Sequence, residues 1–315
     1  MKYRAETDGG RDGKQGGRYT CASPQCKTAA SRARVRSRYP MLPILPYVIN
    51  ALLYAAIGAM LVRGMGRRPA PAPGSSRGSP HPTHFLVLIP LALHTSLLAR
   101  AMFSNGEMYM SAGTAVSTII WLSVLIYWFG NFFYRLEGVH ALVIPVAAIG
   151  VLMPALLPAV KPLPNAGMPF FRLHLVISML AYSFFTIASL HVLLMAVLEK
   201  RLHAGTLPPL LRGLPPLLAM ERLLFRIIAA GFAFLTLSLA SGMIFSEELF
   251  GKPLQVSHKV IFGIVAWLIF GTLLMGRLRW GWRGRIAQRW TLAGFLALLL
   301  AYVGSKFVLE VILHR

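Results

Sequence analysis

The chain has 315 residues, of which 56% are hydrophobic and 13% charged, and its mean hydropathy is +0.61. A soluble protein of this length needs far more polar surface than this composition supplies, so a soluble enzyme is excluded. The net charge of +22 would indicate nucleic-acid binding in a soluble protein. Here the basic residues gather in the first 40 residues and between apolar stretches, where positive charge fixes membrane orientation. No nucleic-acid partner is expected.

Residues 1–40 are rich in Gly, Arg and Ser and have no hydrophobic periodicity, which predicts a disordered basic tail. The two cysteines, Cys21 and Cys26, lie in this tail without a second Cys or His pair, so neither a disulfide framework nor a zinc site is predicted. Met41 stands directly before the first apolar stretch. It is therefore an alternative start of the protein, which N-terminal sequencing would test.

After the tail, about eight apolar stretches follow, each near the 20 residues that a membrane-spanning helix needs. They predict an all-α polytopic membrane protein, a bundle of about eight transmembrane helices, with 41–315 forming one integral-membrane domain. The stretches are 44–62, 84–103, 111–128, 139–157, 172–198, 223–245, 258–276 and 290–313.

Arginine and lysine are concentrated in alternate connections between these stretches. The positive-inside rule then places the connections 63–83, 129–138, 199–222 and 277–289 in the cytoplasm and both termini outside. The basic tail at 1–40 contradicts this orientation. The expected location is the bacterial inner (plasma) membrane.

Histidines within the apolar stretches are candidate site residues, because ionisable groups are costly inside a membrane. His174 and His258 begin the fifth and seventh stretches at the same outer level, where two imidazoles can ligate a haem iron. His174 and His191 are about 25 Å apart along one helix and cannot share a ligand. His94 and His191 lie at a comparable inner depth and form a second candidate pair. Each histidine can instead be a hydrogen-bonded packing residue between helices.

Apolar and aromatic residues surround the outer pair, and such surfaces suit a flat macrocycle as well as a membrane interface. No P-loop, zinc-protease or serine-hydrolase motif is present, which excludes a self-contained enzyme of those classes. The apolar and aromatic residues are Phe170, Phe171, Met243, Phe245, Phe250, Phe262 and Trp267.

Three segments carry a family resemblance: LHLVISMLAYSFFTIASLHVLLMAVLEKRL, LPPLLAMERLLFRIIAAGFAFLTLSLASGMIF, and the run from SHKVIFGIVAWLIF through GWRGR to GSKFVLE. They resemble the cytochrome c assembly family, the CcsA/CcmC-type haem handlers, and within it the YpjD/HemX-like branch. The resemblance extends over about 172–310 and more weakly over 41–157.

This resemblance implies non-covalently held haem b near the outer face, between two external histidines. His174 matches the first external histidine of the family, and His258 lies in the SHKVIF segment. Between Phe245 and His258 the chain has SEELFGKPLQVS where the haem-transferring members have a tryptophan-rich WWD segment. The resemblance therefore implies haem handling or a haem chaperone, with an apocytochrome or a maturation protein as partner beside haem and membrane lipid, rather than a complete haem lyase.

Other functions stay open at this point. One is a transporter, or a transport accessory, for a small cation that follows a path of His and Glu residues. Another is a regulatory membrane protein of haem biosynthesis. The arginine-rich connection 277–289 either docks a partner or anionic lipid, or only fixes the topology.

Overall fold

The computed structural model describes residues 44–65, 82–104, 106–133, 140–158, 162–163, 165–205, 208, 214–244 and 258–301. The predicted tail, the Met41 start and the segment in place of the WWD motif lie outside the described residues. Within them, six helices are long and apolar enough to cross a membrane. The prediction of an all-α polytopic membrane protein is confirmed.

Nine α-helices are found in the described parts of the chain, with one short antiparallel hairpin between the second and third. They are α1 Ile44–Met65, α2 Leu88–Met102 after a 3-10 turn at Pro82–Val87, α3 Ala112–Gly130, α4 His140–Gly150, α5 Met153–Leu156, α6 Pro169–His203, α7 Leu217–Ile244, α8 His258–Trp280 and α9 Gly284–Leu299, with the hairpin strands β1 Phe103–Ser104 and β2 Glu107–Met108.

The predicted stretch 139–157 is not one continuous helix. It divides into α4 and α5, because Pro154 has no N–H to donate to the carbonyl four residues earlier and its ring crowds that carbonyl. The backbone tightens at the break, where Leu152 N–H donates to the carbonyl of Ile149. Ser111, which caps the start of α3, donates its hydroxyl to the carbonyl of Leu157 over 2.6 Å.

Several helices begin earlier or end later than predicted. α6 has 35 residues and is about 52 Å long, so it extends well beyond a hydrocarbon core of about 30 Å. α9 begins at Gly284, although the arginines before position 290 suggested a later start. Charged residues at these helix ends lie where water or headgroups meet the protein, and hydropathy alone places the boundary too far inside.

Successive helices run in opposite directions, with α4 and α5 counted as one broken stretch, so the bundle has two ends. At one end, Arg277 in the last turn of α8 pairs with Glu221 near the start of α7. We call this the basic end. At the opposite end, His174 near the start of α6 contacts Ser241 near the end of α7. We call this the His174 end.

Two hydrophobic clusters form the interior of the bundle. One is formed by the four helices α6 through α9 around Phe185 and Phe270, whose rings stack with centroids 3.8 Å apart. The other is formed by the four helices α1 through α4 around Tyr54, Val124 and Ile144. The two clusters meet along α6, where the Ser183 hydroxyl donates to the carbonyl of Ile119 on α3.

Candidate haem site at the His174 end

His174 lies in the second turn of α6 and is held from α7. Its Nδ1 is 2.8 Å from the hydroxyl oxygen of Ser241. A ligating histidine usually has its second ring nitrogen bound to a neighbouring group that fixes the orientation of the ring. The Ser241 contact therefore fixes the orientation of the His174 ring from a second helix.

Small residues on α7 make room for this imidazole. A Cβ at Gly242 would lie 3.3 Å from Cε1 of His174, closer than an ordinary van der Waals contact. One turn deeper, the hydroxyls of Ser178 and Ser238 are 2.6 Å apart, and Ser178 also donates to the backbone carbonyl of His174. Two hydroxyl contacts thus join α6 to α7 next to the histidine.

His258 is the first residue of α8. Arg277, at the far end of the same helix, lies at the basic end beside Glu221. About 28 Å of helix separates positions 258 and 277, so α8 begins at the His174 end. The fold therefore brings the backbone of His258 to the same end of the bundle as His174.

Trp267 lies about 13 Å further along α8 than His258. Its indole N–H donates to the Thr236 hydroxyl over 2.9 Å, and its ring stacks on Phe232 with centroids 5.6 Å apart. Both partners belong to α7. Trp267 thus packs α8 against α7 below the level of His174.

His94 is fully buried at the centre of α2. Its Nε2 is 2.8 Å from the Ser117 hydroxyl on α3, and its Nδ1 is 3.4 Å from the Tyr54 hydroxyl on α1. Both ring nitrogens are therefore engaged by protein hydroxyls. His94 joins three helices in this arrangement.

His191 is buried on α6 toward the basic end. Its Nε2–H donates to the carbonyl of Met220 in the first turn of α7 over 2.9 Å, while its Nδ1 has no partner among the described residues. The contacts of His191 are with α7, and those of His94 are with α1 and α3. The structure thus gives the two members of the predicted inner pair separate surroundings.

The ion pairs of the basic end were not predictable from the sequence. Arg277 donates to Glu221 over 2.7 Å, and Glu221 is 7% exposed. Arg277 also lies over the Phe225 ring, 4.7 Å from its centroid. A second carboxylate, Glu199, accepts from Arg285. The only signal in the sequence was the position of single acidic residues among many arginines.

His84 is a further histidine whose role the sequence did not reveal. It is buried at the basic end, and its ring stacks on Trp128 with centroids 5.6 Å apart. Its Nε2–H donates to the Trp128 carbonyl, and its Nδ1 accepts from the Asn131 amide. His84 thus caps the C-terminal end of α3.

No group of three His, Cys, Asp or Glu side chains within the described ranges is arranged to hold a metal ion. The two histidine positions at the His174 end suit a haem iron better than a metal ion that needs three or more side chains. A haem iron takes only one or two axial ligands from the protein.

Comparison with known proteins places these residues in a family context. Residues 83–313 match the family described as Cytochrome C assembly protein. The inner membrane protein YpjD of Escherichia coli is 34% identical over 144 residues, which cover 46% of this chain and 54% of YpjD. An uncharacterised 28.8 kDa protein of Azospirillum brasilense is 34% identical over 157 residues, 49% of this chain and 58% of that protein.

A more distant similarity is to the cytochrome c biogenesis protein CcsA of Heterosigma akashiwo, which is 33% identical over 92 residues, 29% of each chain. The chain spans about half the length of YpjD and of the Azospirillum protein. Together these matches confirm the resemblance to CcsA- and YpjD-like proteins inferred from the C-terminal half of the sequence.

Proposed function

This chain belongs to the cytochrome c assembly protein family, and we propose that it binds haem at the His174 end of the bundle for cytochrome c assembly. His174 and His258 are the residues that would ligate its iron. The single observation that supports this proposal most directly is the contact between Nδ1 of His174 and the Ser241 hydroxyl. It orients the imidazole from a second helix, as the outer contacts of metal-bound histidines do.

The surroundings of His174 suit a haem. Gly242 lets the imidazole lie close against α7, and Phe170 and Met243 are apolar side chains, about half exposed, on the two helices that meet there. A haem presents a large flat apolar face, which such side chains cover favourably. His258, at the start of the next helix, supplies the second nitrogen ligand in this proposal.

Haem bound in this way supplies an iron that accepts two imidazole nitrogens. His174 and His258 would ligate this iron, Ser241 would orient His174, and Trp267 fixes α8 against α7 below the site. Haem held by these residues would have no covalent bond to the chain and would therefore remain transferable. The proposed role is that of a haem handler or chaperone rather than a complete haem lyase.

We place the protein in the bacterial inner membrane, as one domain over 41–315 with the His174 end outside, because the other end carries most of the arginines. The proposed partners are haem and an apocytochrome or a cytochrome c maturation protein. His94 and His191 are the proposed residues of an inner site or of a haem route.

Visible spectra of the detergent-purified protein test this proposal. Wild type, His174→Ala and His258→Ala are each titrated with haem and measured in the oxidised and reduced states. His203→Ala is the matched control, because His203 is exposed on α6 at the basic end, about 43 Å from His174.

We expect a bis-histidine spectrum that is lost or altered in both outer variants and unchanged in His203→Ala. A wild-type protein that stays colourless after haem is offered would overturn the proposal. In that case the cation-transport and regulatory alternatives come first, and binding of metal ions alone is the next measurement.

A further inference from the structure

One face of α1 is polar and buried in the half of the bundle away from the proposed haem site. Tyr47, Asn50 and Tyr54 recur at intervals of three and four residues, which places them on one side of the helix. Tyr47 is 1% exposed, and Asn50 and Tyr54 are 0% exposed. These side chains therefore face the protein interior, while much of the rest of α1 is exposed and apolar.

The deeper end of this face leads to His94. Tyr54 contacts Nδ1 of His94, and Nε2 of His94 contacts the Ser117 hydroxyl. Tyr54 lies about 15 Å from the beginning of α1, close to the middle of a membrane-spanning helix. A line of hydroxyl, amide and imidazole groups thus reaches the centre of the bundle.

The polar atoms in the outer part of the same face lack hydrogen-bond partners within the described ranges. The hydroxyl of Tyr47 and both amide atoms of Asn50 have no hydrogen-bond partner among the described residues. Burying an amide without partners costs free energy, and buried polar groups are almost always satisfied by protein or by ordered water. Three such atoms within one turn of α1 point to a bound polar ligand.

The hydrogen-bond donors and acceptors that Asn50 and Tyr47 need restrict the kind of ligand that can bind them. The amide nitrogen of Asn50 needs an acceptor, its oxygen needs a donor, and the Tyr47 hydroxyl can use either. A metal cation offers no acceptor, and a fully deprotonated anion such as chloride or sulfate offers no donor. Water offers both, and a buried water commonly makes about three hydrogen bonds.

The face also has an end near solvent. Tyr47 is the fourth residue of α1, and the exposed Arg100 in the last turn of α2 lies close enough to interact electrostatically with its hydroxyl. Both residues are at the His174 end. Water entering there passes Tyr47 and Asn50 before it reaches Tyr54 and His94.

We propose that ordered water molecules occupy the face formed by Tyr47, Asn50 and Tyr54, and that they connect His94 to solvent at the His174 end. This site is separate from the proposed haem site. It gives a histidine with no exposed surface access to water at mid-membrane depth. The ligand is water, and Asn50 is the residue that holds it.

X-ray radiolytic footprinting of the full chain in lipid nanodiscs tests this proposal, because hydroxyl radicals formed from bound water modify adjacent side chains. We expect Tyr47 and Tyr54 to be modified several-fold faster than Tyr127, which is equally buried among apolar residues on α3. Equal rates for the three tyrosines would overturn the proposal without the need for any variant.

Asn50→Leu then locates the water. Leucine removes the donor and the acceptor while it keeps a similar side-chain volume, so the modification rate of Tyr54 should fall to that of Tyr127. A rate that stays high would show that Asn50 does not hold the water. The melting temperature gives an independent sign: loss of a hydrated site lowers it, whereas removal of an amide from a dry interior raises it and would contradict the proposal. The haem spectrum should not change.

Discussion

The Arg277 guanidinium donates to the Glu221 carboxylate over 2.7 Å and joins the last turn of α8 to the second turn of α7. Glu221 is almost fully buried, and one of its oxygens lies 3.4 Å from the backbone nitrogen of Gly284 at the start of α9. Three helices therefore share one carboxylate at the basic end.

Glu221→Gln should lower the free energy of unfolding by about 2–3 kcal/mol, because it leaves a partly buried guanidinium without its counter-charge. Thermal unfolding in detergent measures the loss. Glu199→Gln is the matched control: Glu199 pairs with Arg285, whose side chain is 73% exposed, and such pairs contribute about 1 kcal/mol or less. Equal effects of the two substitutions would show that burial of the pair is unimportant.

Ser241→Ala tests the orienting role of Ser241. The hydroxyl contact to His174 is lost while the imidazole remains, so we expect haem affinity to fall by about tenfold, the lower range for loss of such outer contacts. Haem titration followed at the Soret band measures the change. Ser238→Ala removes a hydroxyl one turn away that contacts Ser178. Ser238→Ala is thus the comparison variant. If Ser241→Ala binds haem as tightly as Ser238→Ala and wild type, Ser241 has no orienting role.

Gly113→Ala tests a close approach of two helices. A Cβ at position 113 would collide with the backbone carbonyl of Met153 and would lie 2.6 Å from that of Leu157. Backbone atoms cannot rotate away, so α3 and α5 must separate. We therefore expect the free energy of unfolding to fall by about 1–3 kcal/mol or more.

Gly64→Ala is the control for that substitution, since no atom of the described residues lies within 4 Å of the point that a Cβ would occupy there, near the end of α1. Alanine at this position should be neutral or stabilising by about 0.5–1 kcal/mol. Melting temperatures of the two variants in the same detergent give the comparison. A tolerated Gly113→Ala would contradict the close contact.

The orientation of the bundle can be measured in a variant in which Cys21 and Cys26 are replaced by serine. Two single cysteines are then introduced, one at a time, by Met168→Cys and Arg283→Cys. Met168 lies just before α6 at the His174 end, and Arg283 lies just before α9 at the basic end. A membrane-impermeant maleimide should label position 168 in spheroplasts and position 283 only after the membrane is permeabilised. The opposite pattern would reverse the proposed topology.

Hydropathy predicted most of the fold. The long spans follow from composition alone, because a bilayer of fixed thickness requires apolar runs of fixed length. The division between α4 and α5 was missed although Pro154 was visible, since a proline can also be accommodated within a membrane helix. Whether it breaks the helix depends on neighbours that the sequence does not specify.

The candidate site was predictable to a smaller extent. Depth along the helices placed His174 and His258 at one end, and the fold agrees for both positions. The partner of His174 could not be read from the sequence: Ser241 is 67 positions away and resembles any other serine on an apolar helix. The same holds for Tyr54 and Ser117 beside His94, because pairing between helices depends on their rotation as well as on depth.

α6 has consequences for how the protein is assembled during synthesis. The hydroxyl of Ser123 on α3 donates to the carbonyl of Ser183, and the hydroxyl of Ser183 donates back toward α3. The first five helices leave the ribosome before α6, so they enter the membrane with that side of their core uncovered. Insertion of α6 covers the cluster formed by α1 through α4 and at the same time provides the surface on which α7, α8 and α9 assemble.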